Sequence, residues 1–232
     1  MIYALGHPSI LLGLLAGFLI GVPARAALQR VVTRPGGLRR RGRLSAVGHR
    51  RTRLGWPGYL DPFGAVAVLL SGVGWGPRVE ARRTPMTDVL MLLVALAVHG
   101  ALTALGLAAF ALADGALSGV GLIDVSSVLH GDGIVALVTA GGAARNVALG
   151  FAMVNLACGI LTLVPIPPLE LGVILWSRLP RSPQTRRIAY HVLEEQWGVA
   201  VLLVLLLLPL AGHPPALLAV VNAIGRPILE AL

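Results

Sequence analysis

The apolar run at residues 85–112 restricts the possible fold more than any other feature of this sequence. Its only charged residue is Asp88, and it is longer than the roughly 20 residues that a helix needs to cross the hydrocarbon core of a bilayer. Pro85 suits the first turn of a helix, where a missing N–H costs little. Across the 232 residues 56% are hydrophobic and 12% charged, so the sequence predicts an all-α, multi-pass membrane protein forming one integral membrane domain over residues 1–232.

Three other segments are predicted to span the membrane, which makes about four transmembrane helices. A shorter apolar stretch lies within residues 58–83, between basic residues, and this pattern is typical of a re-entrant or interfacial hairpin. Residues 216–232, interrupted by Arg226 and Pro227, are predicted to form an interfacial tail. The other three predicted spans are residues 10–22, with their N-terminal flank, 146–164 and 199–210.

Arginine supplies all the basic charge of the chain, and ten arginines fall between Arg25 and Arg53. Because basic loops stay on the cytoplasmic side, residues 25–57 are predicted to be a cytoplasmic loop that can contact anionic membrane lipid. No aromatic residues alternate with these charges, so nucleic-acid binding is not expected. Abundant Ala, Gly, Leu and Val, with Arg in place of Lys, is associated with GC-rich bacterial genomes, which predicts a bacterial cell membrane. Ala24-Arg25-Ala26 also suits signal-peptidase cleavage, but no positive charge precedes the apolar segment.

A proline-rich stretch ends the third predicted span. Pro165, Pro167 and Pro168 lack backbone donors and favour extended geometry in the residues before them, so they predict a stiff turn that presents Glu170. A carboxylate beside the end of a membrane helix is either solvated at the interface or part of a site, and both interpretations stay open at this point. Residues 165–196 are predicted to be a cytoplasmic proline turn followed by an interfacial helix.

This stretch resembles the proline-rich motif of the site-2 protease family, the intramembrane zinc metalloproteases. The family motif ends in Asp-Gly and its aspartate is a zinc ligand, whereas Glu170 and Leu171 occupy those two positions here. Two other fragments resemble family segments in the same order along the chain. The resemblance implies a site-2 protease-like fold, and it is carried by Val164 through Leu175, by Leu60-Asp61-Pro62-Phe63-Gly64 and by Gly74 through Val79.

The family's catalytic motif is missing. Two histidines of a His-Glu-x-x-His helix bind Zn²⁺ and the glutamate acts as the base, but this sequence contains no such motif. An approximate alignment puts Pro23, Ala24 and Ala27 at those three positions. The resemblance therefore implies no catalytic residues, no cofactor, and a pseudoprotease that binds a membrane-protein partner or a transmembrane segment. The candidate partner groove is lined by Pro165, Pro167, Pro168 and Glu170.

Two other functions stay open. A divergent zinc metallopeptidase would draw its Zn²⁺ ligands from Glu170, His99 and Asp61, since His99 lies in the middle of a predicted span where a polar side chain is expensive. A lone histidine there more often hydrogen-bonds to a neighbouring helix. A transport role would also use intramembrane polar residues, but no repeat or ion-path pattern favours it. The single cysteine, Cys158, is predicted to be a packing residue.

Overall fold

The structure is all-helical over the residues that it describes. It is a computed structural model, and it describes residues 6–33, 60–77, 79, 84–114, 120–130, 142–179, 182–193, 197–209 and 214–231, among which there is no β-strand. A short 3₁₀-helix, Val120–Leu122, precedes α4. The α-helices are α1 (Pro8–Val32), α2 (Pro62–Ser71), α3 (Pro85–Asp114), α4 (Val125–His130), α5 (Ala143–Leu161), α6 (Glu170–Arg178), α7 (Pro183–Leu193), α8 (Trp197–Leu207) and α9 (Ala216–Glu230).

Three of these helices are long and apolar enough to cross a membrane, namely α1, α3 and α5. This confirms an all-α fold, and the three helices are compatible with the predicted membrane spans by length and composition. A fourth span is reached only if α7 and α8, which are bent by 59° relative to each other, are counted as one. Helix α1 continues to Val32, so the prediction that the loop begins at residue 25 is wrong: the apolar face of the helix continues through Ala26 and keeps Arg25 and Gln29 buried. Residues 34–57 of that predicted loop lie outside the described part.

Helix α5 is the central helix of the described fold, and both α1 and α3 pack along it. Buried residues make up 72% of the α5 span but 28% of the α3 span, so most of the α3 surface faces outward. Close packing of α1 on α5 depends on glycine: a Cβ at Gly13 would lie 2.2 Å from the carbonyl oxygen of Val147, and one at Gly150 would lie 2.6 Å from that of Ile10. Both contacts are with backbone, so the two helices would have to separate to admit a side chain.

Helix α3 begins at a reciprocal cap. Thr84 N–H donates to Thr87 Oγ1 at 2.8 Å, and Thr87 N–H donates to Thr84 Oγ1 at 3.2 Å, so two backbone donors of the first turn are satisfied. Asp88 lies in the same turn, where a carboxylate is favoured by the helix dipole. The predicted start of this helix at Pro85 is confirmed.

Helix α2 and the extended segment after it form a hairpin. Asp61 Oδ1 accepts from Gly64 N–H at 2.9 Å and caps the start of α2, while Gly72 ends it with a φ of 79°, a left-handed conformation that glycine adopts without strain. The returning segment packs against α2, since a Cβ at Gly64 would lie 2.0 Å from the Trp75 carbonyl oxygen. It also reaches α5, where Cys158 Sγ lies 3.6 Å from the Gly74 carbonyl oxygen.

The C-terminal segment is one helix, α9, which corrects the prediction that Arg226 and Pro227 interrupt it. Pro227 removes one backbone donor, but it lies on the exposed face of the helix. The opposite face is buried against α4, α5 and the 3₁₀-helix, and this packing holds the helix together across the proline. The buried residues of α9 are Leu217, Leu218, Val221, Gly225 and Leu229.

Candidate functional site

A buried ion pair lies where α1, the hairpin and the proline turn meet, and we call Arg25, Trp75 and Glu170 the polar junction. Arg25 Nη1 contacts Glu170 Oε1, and the two side chains are only 5% and 11% exposed. Arg25 Nη2 also lies 3.4 Å from the carbonyl oxygen of Pro77. A buried charge needs a partner of opposite charge, so the junction joins α1 to the start of α6.

The proline turn places Glu170 at the junction by folding back on the end of α5. Leu171 N–H donates to the Thr162 carbonyl oxygen at 3.1 Å, which holds the first turn of α6 beside the last turn of α5. Gly172 permits this close approach, because a Cβ there would lie 2.3 Å from the carbonyl carbon of Ile166. Glu170 is the first residue of α6, where the helix dipole favours a carboxylate.

The residues predicted to form one partner groove are found in different surroundings. Pro168 and Glu170 line a small pocket together with Arg25 and Trp75. Pro165 is exposed. Pro167 is buried, and its carbonyl oxygen lies 2.2 Å from where a Cβ at Gly198, near the start of α8, would be placed. The four residues therefore do not line one common surface.

The pocket at the polar junction contains polar atoms that lack partners. Its interior volume is about 30 Å³, enough for roughly two water molecules. Among the described residues, Arg25 Nε, Trp75 Nε1 and Glu170 Oε2 are buried without a hydrogen-bond partner. These three atoms have almost no accessible surface, so the polar junction is an enclosed contact whose hydrogen-bonding capacity is only partly used.

The other end of α6 carries a second ion pair. Arg178 Nη2 donates to Asp88 Oδ2 at 2.6 Å, joining the last turn of α6 to the first turn of α3. Asp88 is buried, but the Arg178 side chain is 43% exposed, so water screens this pair far more than the one at the junction. Helix α6 is thus held at one end by α1 and at the other by α3.

A larger cavity lies between α3, α5 and α9, and we call it the α3 groove. Its volume is about 510 Å³, and its lining is apolar except for His99, Thr103 and Asn155. His99 Nδ1 lies 3.1 Å from Asn155 Oδ1. Asn155 Nδ2 donates to the carbonyl oxygens of Phe151, at 2.9 Å, and Gly17, at 3.3 Å. Asn155 thus joins three helices, α1, α3 and α5, at mid-span.

The three candidate metal ligands are used in three separate places. Glu170 pairs with Arg25, His99 with Asn155, and Asp61 caps α2. Within the described ranges, no three His, Cys, Asp or Glu side chains come together as a metal site requires. The side chains at the polar junction do not suit zinc, because a guanidinium donates hydrogen bonds only and has no lone pair for a metal.

Two residues of these sites were missed by sequence reasoning. The arginine-rich pattern predicts a loop at Arg25, although the small and apolar residues around it continue the α1 pattern beyond Val22. Asn155 was not singled out, although an amide within an apolar span is itself a signal of a buried polar contact. Trp75 could not have been placed, since the other residues that line its pocket come from distant segments.

Comparison with known proteins does not assign this chain to a family. No family model, no curated protein and no solved structure matches this chain. The resemblance to the site-2 protease family therefore rests on the motif residues alone.

Proposed function

We propose that this protein is a catalytically inactive, site-2 protease-like membrane protein, a pseudoprotease of the bacterial cell membrane that acts by binding a transmembrane segment of a partner. The observation that carries the proposal is the buried ion pair between Arg25 and Glu170. The family resemblance assigns Glu170 to a zinc-ligand position and assigns the following residues of α1 to the catalytic helix: Pro23, Ala24 and Ala27.

The polar junction supports the loss of catalysis. Glu170 meets α1 at the junction where the resemblance calls for a metal centre, but the group that it meets is a guanidinium. Arg25 neutralises the carboxylate and occupies one of its oxygens, and proline and alanine at the aligned positions offer no imidazole and no base. An ion pair thus does structurally what a shared metal ion would otherwise do, which is to join these two elements.

The α3 groove supports the binding role. It runs beside a helix whose span is mostly outward-facing, and a concave apolar surface of this kind can accept a segment from within the bilayer. A protein that holds such a segment needs shape and hydrogen bonding but no hydrolytic group.

The alternative is a divergent zinc metallopeptidase, and one observation favours it. Glu170 Oε2 has no hydrogen-bond partner among the described residues, so one carboxylate oxygen remains for a ligand. In this alternative Glu170 would leave Arg25 to bind zinc, with further ligands from His99, Asp61 or another chain.

Zinc content separates the two functions. We would measure zinc per chain by mass spectrometry of the detergent-purified protein, beside Glu170→Gln and, as a control at the same ion pair, Arg25→Met. We expect background zinc in all three proteins. Near-stoichiometric zinc in the wild type that falls in Glu170→Gln would contradict the proposal and support the peptidase.

The binding role has its own test. A membrane-protein partner should co-purify in stoichiometric amount after solubilisation in mild detergent. A chain that is always isolated alone under these conditions would count against the proposal, even if it contains no zinc.

A further inference from the structure

The outer edge of the α3 groove is a row of small residues. Gly100, Ala104 and Ala108 follow one another at every fourth position of α3, are exposed and line the groove. A Cβ at Gly100 would meet no atom within 4 Å, so the space beside it is open. Small residues at this spacing let a second helix approach closely enough for backbone contact within a membrane.

A second, independent feature is the imidazole of His99, which lines the groove next to this row. His99 is only 2% exposed. Asn155 uses its amide nitrogen for two carbonyl oxygens, so its Oδ1 must accept, and this assigns a proton to His99 Nδ1. No hydrogen bond in the described part of the chain involves His99 Nε2.

The tautomer of His99 determines what the groove can recognise. A neutral imidazole is favoured at mid-span, because a buried charge without a counter-ion is costly there. With the proton on Nδ1, Nε2 is an acceptor that needs a donor from the occupant. Thr103 does not supply it, since its hydroxyl donates to the His99 carbonyl oxygen at 2.8 Å.

We propose that the α3 groove binds a transmembrane helix that presents a hydroxyl or amide side chain, namely Ser, Thr, Asn or Gln, as a hydrogen-bond donor to Nε2 of His99. This inference rests on the proposed function and specifies its partner segment. The small residues set how near the partner backbone comes, and His99 sets the depth at which its polar residue lies.

A helix suits these features better than a lipid chain does. An acyl chain carries no donor and would leave Nε2 unsatisfied, and a small-residue row at helical spacing offers it no advantage. Along α3 the groove extends from Leu96 to Ala108, which is about 18 Å at 1.5 Å per residue and therefore over half of a membrane span.

The test uses two synthetic Leu/Ala helices of about 20 residues, long enough to span the bilayer. They are identical except for Ser or Ala at the central position. Binding to the full-length protein is measured by energy transfer in phosphatidylcholine vesicles. We expect the Ser helix to bind about 3- to 10-fold more tightly than the Ala helix, the range typical of one interhelical hydrogen bond in a membrane.

Three variants locate the effect. His99→Phe should remove the preference for Ser. Ala104→Leu should weaken binding of both helices, because it fills the groove edge. Ala109→Leu is its matched control, since Ala109 is exposed on the same helix but does not line the groove, and it should change nothing.

Equal binding of the two helices to the wild type would overturn the inference, as would a preference for Ser that survives in His99→Phe. If His99→Phe does not fold, the Ala104→Leu variant decides the question. If the helices bind Ala104→Leu as tightly as they bind Ala109→Leu, the helix binds outside the α3 groove. A photoreactive residue at position 104 tests for lipid. If neither helix binds and this residue cross-links to phospholipid, the groove binds lipid and the inference is wrong. Zinc content is independent of these results, so the failure of this inference and that of the pseudoprotease proposal are distinguishable.

Discussion

The polar junction and the α3 groove both place polar side chains inside an apolar helical fold, but they satisfy these side chains in different ways. At the junction, two full charges are paired and closed in by the hairpin, with Arg25 about two turns before the end of α1 and Glu170 at the start of α6. In the groove, neutral groups are joined at mid-span and one side stays open. A charge costs most at the centre of a bilayer and less near its surface, and of the two sites the charged one lies nearer to the end of a helix. Both sites contain polar atoms without a hydrogen-bond partner, but those of the junction are enclosed, whereas the groove is open on one side.

The largest effect should follow from breaking the charge pair. Glu170→Ala leaves Arg25 buried without a counter-ion, and we expect a loss of about 3–5 kcal/mol in the free energy of unfolding, measured by denaturant titration in micelles. The double variant Arg25→Leu/Glu170→Met should recover most of that loss, because apolar side chains of similar volume need no partner. If the double variant is as unstable as Glu170→Ala, the junction depends on more than charge compensation.

A smaller effect should follow from breaking the neutral pair. Asn155→Ala removes the partner of His99 Nδ1 and two bonds to backbone carbonyl oxygens, and we expect a loss of about 1–3 kcal/mol in the same titration. Asn155→Asp is the sharper control. It keeps the acceptor for His99 but loses both donors and adds a charge at mid-span, so it should be less stable than Asn155→Ala. The opposite order would mean that the new carboxylate is compensated, either by a proton taken up on His99 or by water that reaches this depth.

The smallest effect should come from the exposed end of α6. Arg178→Gln removes an ion pair whose arginine is 43% exposed but keeps an amide donor for the buried Asp88, and we expect a change of about 0.2–1 kcal/mol in the free energy of unfolding. Raising the salt concentration should reduce this difference between variant and wild type, while the effect of Glu170→Ala should stay nearly constant. A loss as large as that of Glu170→Ala would remove the distinction between the two ends of α6.

Sequence reasoning predicted the elements better than it predicted their contacts. The start of α3 at Pro85 follows from proline at the first turn, and the predicted interfacial helix within residues 165–196 is found as α7, which also begins at a proline, Pro183. The end of α1 was missed because arginines were interpreted as a solvated loop, whereas one of them has a buried counter-ion from a residue 145 positions away. The α3 groove could not be predicted, because its walls come from three helices distant in sequence.

The contact between Cys158 and the hairpin means that opening of the native protein can be followed through the reactivity of its own thiol. This is the one cysteine of the chain, and it is buried with its sulfur directed at the carbonyl oxygen of Gly74. A membrane-permeant alkylating reagent reaches this thiol only when the core around α5 opens, and the hairpin is one of the parts packed there. The rate of alkylation therefore measures how often this part of the core opens, in the unmodified sequence and without an engineered label.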